Sequence, residues 1–134
     1  MSTSMAGYLR ALNLTRQCVL CDRLEDAGGH AGKSRGLLGR DRLESGSGML
    51  FVAGRFEPFM WMHMFFMAFA IDIVFLDRDD RILRVNHGLK PWRMSSLVFG
   101  ARKALELSSG AARAAQPGDQ VRFEPAPAEP APAF

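Results

Sequence analysis

Cysteine is nearly absent: Cys18 and Cys21 are the only two in 134 residues. Two thiols cannot build a disulfide framework, so any core must come from apolar burial. Charge of one sign is also missing. Seventeen Lys+Arg against fourteen Asp+Glu leave only +3, too mild an excess to point to a nucleic-acid partner. No apolar leader opens the chain, because Arg10 and Arg16 interrupt the first leucines; a cytoplasmic protein with reduced thiols is expected. There is no HExxH, no phosphate-binding glycine loop and no serine in a nucleophile-elbow context, so no catalytic residue is assigned and no cofactor is expected. Internal repeats are lacking as well. The single long apolar run, Phe59 to Leu76, carries a mid-span Asp72 and an aromatic and β-branched bias, so it reads as strands and not as a membrane span.

What is there fits one domain. Apolar residues make up 48% and charged residues 23%, a globular balance in a length that can bury a real core. Residues 1–14 read as a loosely ordered lead-in, 15–124 as the folded domain, and 125–134 as a proline- and alanine-rich, polyproline-like or disordered tail. Strands are expected at 17–24, 49–53, 60–66, 71–76, 102–107 and 120–123, with a hairpin over 72–85 around Asp77-Arg78-Asp79-Asp80. Short helices are expected at 30–38, ended by Gly39, and at 108–115. The fold class is therefore mainly β with a minor α component: a compact single-domain β-barrel or sandwich with one or two short helices.

The order of several short motifs is specific. Gly36-Leu37-Leu38-Gly39-Arg40 is followed by Gly48-Met49-Leu50, His63-Met64-Phe65-Phe66-Met67 and Ile71-Asp72-Ile73-Val74-Phe75-Leu76-Asp77. Then come Pro91-Trp92-Arg93, Leu105-Glu106-Leu107 with Gly110, and Gly118-Asp119. From about Leu14 to Phe123 the chain resembles the small prokaryotic family called domain of unknown function 192 (DUF192). The resemblance implies a compact, mostly β fold with a short helix, and no established enzymatic activity. Ala70 and Ala68 stand where the family usually has a proline and often a basic residue, which loosens the connection before Asp72 and removes a possible anion contact.

Candidate chemistry sits in few residues. Cys18 and Cys21 lie three apart, which on a strand sends them to opposite faces, and they read as structural thiols. In Met60-Trp61-Met62-His63-Met64 the thioethers alternate with the rings. The run could suit Cu(I), yet on a strand the imidazole points away from the methionines, so no metal site is assigned. His63, Asp72, Trp92 and Arg93 are the candidate ligand-binding residues: an imidazole, a carboxylate that must be compensated if buried, and an aromatic beside a guanidinium. An ionised Asp72 needs compensation from the backbone amides of 67–70, from His63, or from an arginine such as Arg93 or Arg102, and the amides are the expected partners. The reading that follows is a non-enzymatic binding or accessory domain for a small polar ligand or a partner's extended segment. The alternatives are a small enzyme with Asp72 as general acid or base, and a Cu(I)-handling protein using the methionine run.

Overall fold

The structure is a computed structural model and describes residues 4–27, 42–65 and 67–127. Seven strands form one curled sheet: β1 (Ser4–Asn13), β2 (Cys18–Asp26), β3 (Ser47–Val52), β5 (Ile71–Leu76), β6 (Ile82–Leu89), β8 (Lys103–Ser108) and β9 (Val121–Pro127). The spatial order is β6-β5-β8-β3-β2-β1-β9. Only β2 and β3 run parallel; every other neighbour is antiparallel. Two short strands, β4 (Phe59–Met60) and β7 (Val98–Phe99), pair separately. The sheet is not closed by a ladder. Its edges meet at the isolated Arg81–Gln120 bridge, where Gly118 N–H also donates to Ile82 O at 2.7 Å.

Curling gives the sheet two buried faces. Strand β5 is buried at all six positions, as a run of apolar β-formers predicts for a strand covered on both sides. Val74 and Leu76 join Leu50, Leu105 and Leu107 in one cluster, which the 109–115 segment caps with Ala112 and Ala115. Ile71, Ile73 and Phe75 join Phe51 and Ala104 in a second cluster, which Met60, Met64, Met67 and Val98 cover. The methionines of the Met60–Met64 run thus fill core, with Met62 partly buried against it.

Several expectations are corrected. The lead-in contains strand β1, held between β2 and β9, because a strand this long finds backbone partners on both sides. The 125–134 tail begins inside β9, which pairs as far as Pro127. Only Phe59–Met60 of the expected 60–66 strand is laddered, followed by a single His63–Met94 bridge. The 108–115 helix is replaced by consecutive turns, Ala111 N–H to Ser108 O, Arg113 N–H to Gly110 O and Ala115 N–H to Ala112 O. The expected helix at 30–38 lies outside the described residues. Among the described residues no helix is long and apolar enough to cross a membrane.

Candidate functional site

Gly110, at φ 92°, keeps the 108–115 segment from becoming a helix, and Asp72 fastens the turns that form there instead. The Asp72 Oδ2 accepts from the amides of Gly110 (3.0 Å) and Ala112 (2.9 Å), and its Oδ1 from Gly88 (2.7 Å). Ala112 N–H, which a helix would give to Ser108 O, therefore points at a carboxylate, while Gly110 N–H has no partner within such a helix. Gly88 reaches Asp72 from a bulge in β6, where Ile71 pairs with Leu89 but Ile73 with Asn86, and it takes a positive φ of 56°. Asp72 is 1% exposed. A carboxylate with three charge-assisted bonds and no access to solvent is a fastener between β5, β6 and the cap. Amides do compensate it, as expected, but not those of 67–70. Buried there, Asp72 has both carboxylate oxygens engaged by backbone amides.

His63, Trp92 and Arg93 lie together on the outside of the second core cluster. Residues 62–64 and 92–95 form a short irregular ladder. Met62 and Ser95 are joined twice, Met64 N–H donates to Arg93 O at 2.7 Å, and Trp92 N–H donates to Met64 O at 2.7 Å. Alternation buries Met60 and Met64 beneath this ladder and leaves Trp61 and His63 exposed above it. The Arg102 guanidinium holds the preceding loop through Glu57 O (2.9 Å) and Gly54 O (3.0 Å).

The result is a row of rings. Trp61 lies 6.0 Å from His63, His63 stacks on Phe65 at 4.8 Å, and Phe65 lies 6.3 Å from Trp92. Phe59 and Phe99 add an edge-to-face pair at 5.5 Å on the β4–β7 ribbon. Of the large apolar side chains left exposed among the described residues, all but Val52 belong to this lobe: Phe56, Trp61, Trp92, Met94, Leu97 and Phe99. Alternation puts Phe65 on the face of Trp61 and His63, and Trp92 and Arg93 were candidates, but Met94 and Phe99 were missed. The pairing of 59–65 with 92–99 gathers them, and no local pattern announces it.

Trp92 is held at a cost. The turn Lys90–Arg93 closes with Arg93 N–H to Lys90 O at 3.2 Å, with Pro91 second and Trp92 third at φ 67°. A turn of this pattern takes glycine at its third position, because a side chain there crowds the backbone by roughly 1–2 kcal/mol. Here the position carries a tryptophan that is 58% exposed.

Other ionisable groups lie elsewhere. Burial pushes the Cys21 thiol up to about 12, against a backbone hydrogen bond that lowers it and with help from the Asp22 charge. Its Sγ donates to Gly46 O at 3.3 Å, as a structural thiol would. Glu106 on β8 is pushed up to about 7 by burial. Burial would also raise Asp119, but hydrogen bonds from Asn13, Arg16 and Gln116 and the Arg16 charge outweigh it and hold its carboxyl below the usual carboxylate range. No group of three or more His, Cys, Asp or Glu that could hold a metal occurs among the described residues.

Residues 15–123 match the family model DUF192, described as an uncharacterised ACR. No curated protein matches the chain. Two crystal structures are similar. One is a protein of unknown function from Novosphingobium aromaticivorans, 20% identical over 91% of this chain and 92% of that one, with a TM-score of 0.71. The other, from Sinorhizobium meliloti, is described as a "putative transcription regulator" and is 19% identical over 89% of this chain and 97% of that one, with a TM-score of 0.69. At these identities the likeness is one of fold.

Proposed function

The chain belongs to the DUF192 family, and from that premise we propose that it is a non-enzymatic docking domain whose ring array holds an extended segment of a partner protein. The observation that carries this reading is Trp92. Trp92 stands largely exposed in a left-handed turn position, and strain of this kind gathers where a side chain must be presented. Exposed aromatics around it make a contiguous apolar surface of the sort that marks an interaction site.

Ring orientation favours a chain over a flat ligand. His63 and Phe65 stack at an interplanar angle of 26°, and Trp61 lies 6.0 Å from His63, tilted by 51°. Two stacked rings close one face of each to a ligand, so the His63–Phe65 pair is a poorer platform for a sugar or a base than two open rings. Arg93 and Lys90, both exposed on the same turn, supply positive charge beside it.

Trp92→Gly separates presentation from folding. Removing the Cβ relieves the turn, so the variant melts at or above the wild-type temperature, by up to about 1 kcal/mol. Intrinsic tryptophan emission is then titrated with decaproline, with a Gly-Ser decapeptide and with maltohexaose. Decaproline shifts the emission of the wild-type protein and not of Trp92→Gly, leaving the other two silent. Saturation by maltohexaose, or silence towards both peptides, overturns the docking reading.

A further inference from the structure

We infer that Cys18 and Cys21 form a two-thiolate site for one Cu(I) ion, on the face of the sheet away from the rings. Strict alternation would send residues three apart to opposite faces, but β2 is not regular here. Ala11 pairs with Cys21 and Asn13 with Cys18, so three steps along β2 match two along β1, with Leu20 as the extra residue. Directly paired residues share a face, and so do residues two apart. The bulge therefore turns both cysteines to the side of the first core cluster, to which Ala11 and Cys21 belong.

That side is open beside them. Strand β3 pairs with β2 only from Arg23 onward, and between the start of β2 and the 110–114 turns lies a cleft of about 320 Å³. Cys18 and Cys21 both line it, with Gly46, Gly110 and Ala111. Both are free thiols, Cys18 half-buried and Cys21 buried.

Spacing selects the occupant. Positions two apart on a strand are about 6.7 Å apart, and their Cβ atoms nearly the same. A disulfide needs Cβ atoms at roughly 3.5–4.5 Å, so these cysteines are not bridged without moving backbone. Sulfur atoms leaning toward each other come to roughly 4–5 Å, the span of two thiolates on opposite sides of one ion at about 2.3 Å each. Zn(II) asks for four ligands, and among the described residues no group of three or more His, Cys, Asp or Glu exists. Soft thiolates select Cu(I), a d10 ion that two donors satisfy. On loading, each thiol loses its proton to solvent and two S–Cu bonds form, leaving one net negative charge on the centre. The burial that holds Cys21 protonated acts on a bare thiolate; beside the ion two thiolates share that single charge. Arg113 stands exposed on the cleft, and the other charged lining residue, Asp22, faces Arg10 at 3.9 Å.

Anaerobic titration of the full chain with Cu(I), against a coloured Cu(I) chelator and with ascorbate as reductant, tests this. The wild-type protein takes up one equivalent, keeps its sedimenting mass, and shows two sulfur neighbours around copper by X-ray absorption. Cys18→Ser and Cys21→Ala each lower the affinity at least about hundredfold, whereas Met62→Leu/Met64→Leu leaves it unchanged and excess Zn(II) does not displace the ion. Transfer of all the copper to the chelator overturns the inference. So does tight binding that survives Cys18→Ser, or that is lost in the methionine variant instead. Loading that joins two chains through one ion overturns it as well, because thiols of separate molecules need no bulge to meet.

Discussion

Replacing Asp72 by asparagine keeps the side-chain shape and removes one acceptor oxygen and the charge. Three backbone donors converge on that carboxylate, two on Oδ2 from Gly110 and Ala112 and one on Oδ1 from Gly88. The best orientation of the amide leaves its oxygen with Gly110 and Ala112 and turns its NH2 group toward the Gly88 N–H. One hydrogen bond is lost and a buried donor is stranded, at about 1–3 kcal/mol. The two surviving bonds lose their ionic character, at roughly 0.5–1 kcal/mol each. The sum is about 3 kcal/mol, or a fall in melting temperature of about 10 °C for a domain of this size. Denaturant melts read the stability, and hydrogen exchange at Gly110 and Ala112 reads the local cause: both amides exchange faster relative to the β-sheet core. A midpoint within about 0.5 kcal/mol of wild type, with unchanged protection at those amides, refutes the fastening role.

Glu106 gives a pH signature. Its folded carboxyl is raised from 4.5 to about 7, so the ionised form is penalised by folding and stability falls as pH climbs through that window, by about 3 kcal/mol in total. Glu106→Gln abolishes the slope between pH 4 and 8 in thermal melts; parallel slopes for the two proteins would count against a desolvated carboxyl. Gly48→Ala places a Cβ 2.7 Å from Glu106 O and 2.8 Å from Leu107 Cδ2, and since a ladder carbonyl cannot step aside the cost is about 1–3 kcal/mol, measurable as a lower denaturation midpoint. With Cys21 buried and held up to about 12, a thiol reagent labels the half-buried Cys18 first in the folded protein, and equal rates for the two would contradict that burial.

Composition and alternation, read along the chain, determined the β character, the one-domain size, the hairpin after β5 and the inward methionines of the 60–64 run. These are local properties: a period of two and a turn-forming Asp77-Arg78-Asp79-Asp80 act over a few residues. The same reading also identified Asp72 as a carboxylate needing backbone amides, because desolvation permits nothing cheaper. Which amides answer it was decided only by the tertiary structure, since Gly88, Gly110 and Ala112 lie 16 to 40 residues away. Helical propensity in 108–115 yielded to the positive φ at Gly110 and to that same carboxylate, which takes the Ala112 amide that a helix would give to Ser108 O. Strand β1 was illegible because its partners are β2 and the distant β9. The ring array was illegible for a similar reason. Trp61, His63 and Phe65 share a face by alternation, but only the pairing of 62–64 with 92–95 brings Trp92 to them, and chain-distant pairing leaves no periodic trace in a sequence.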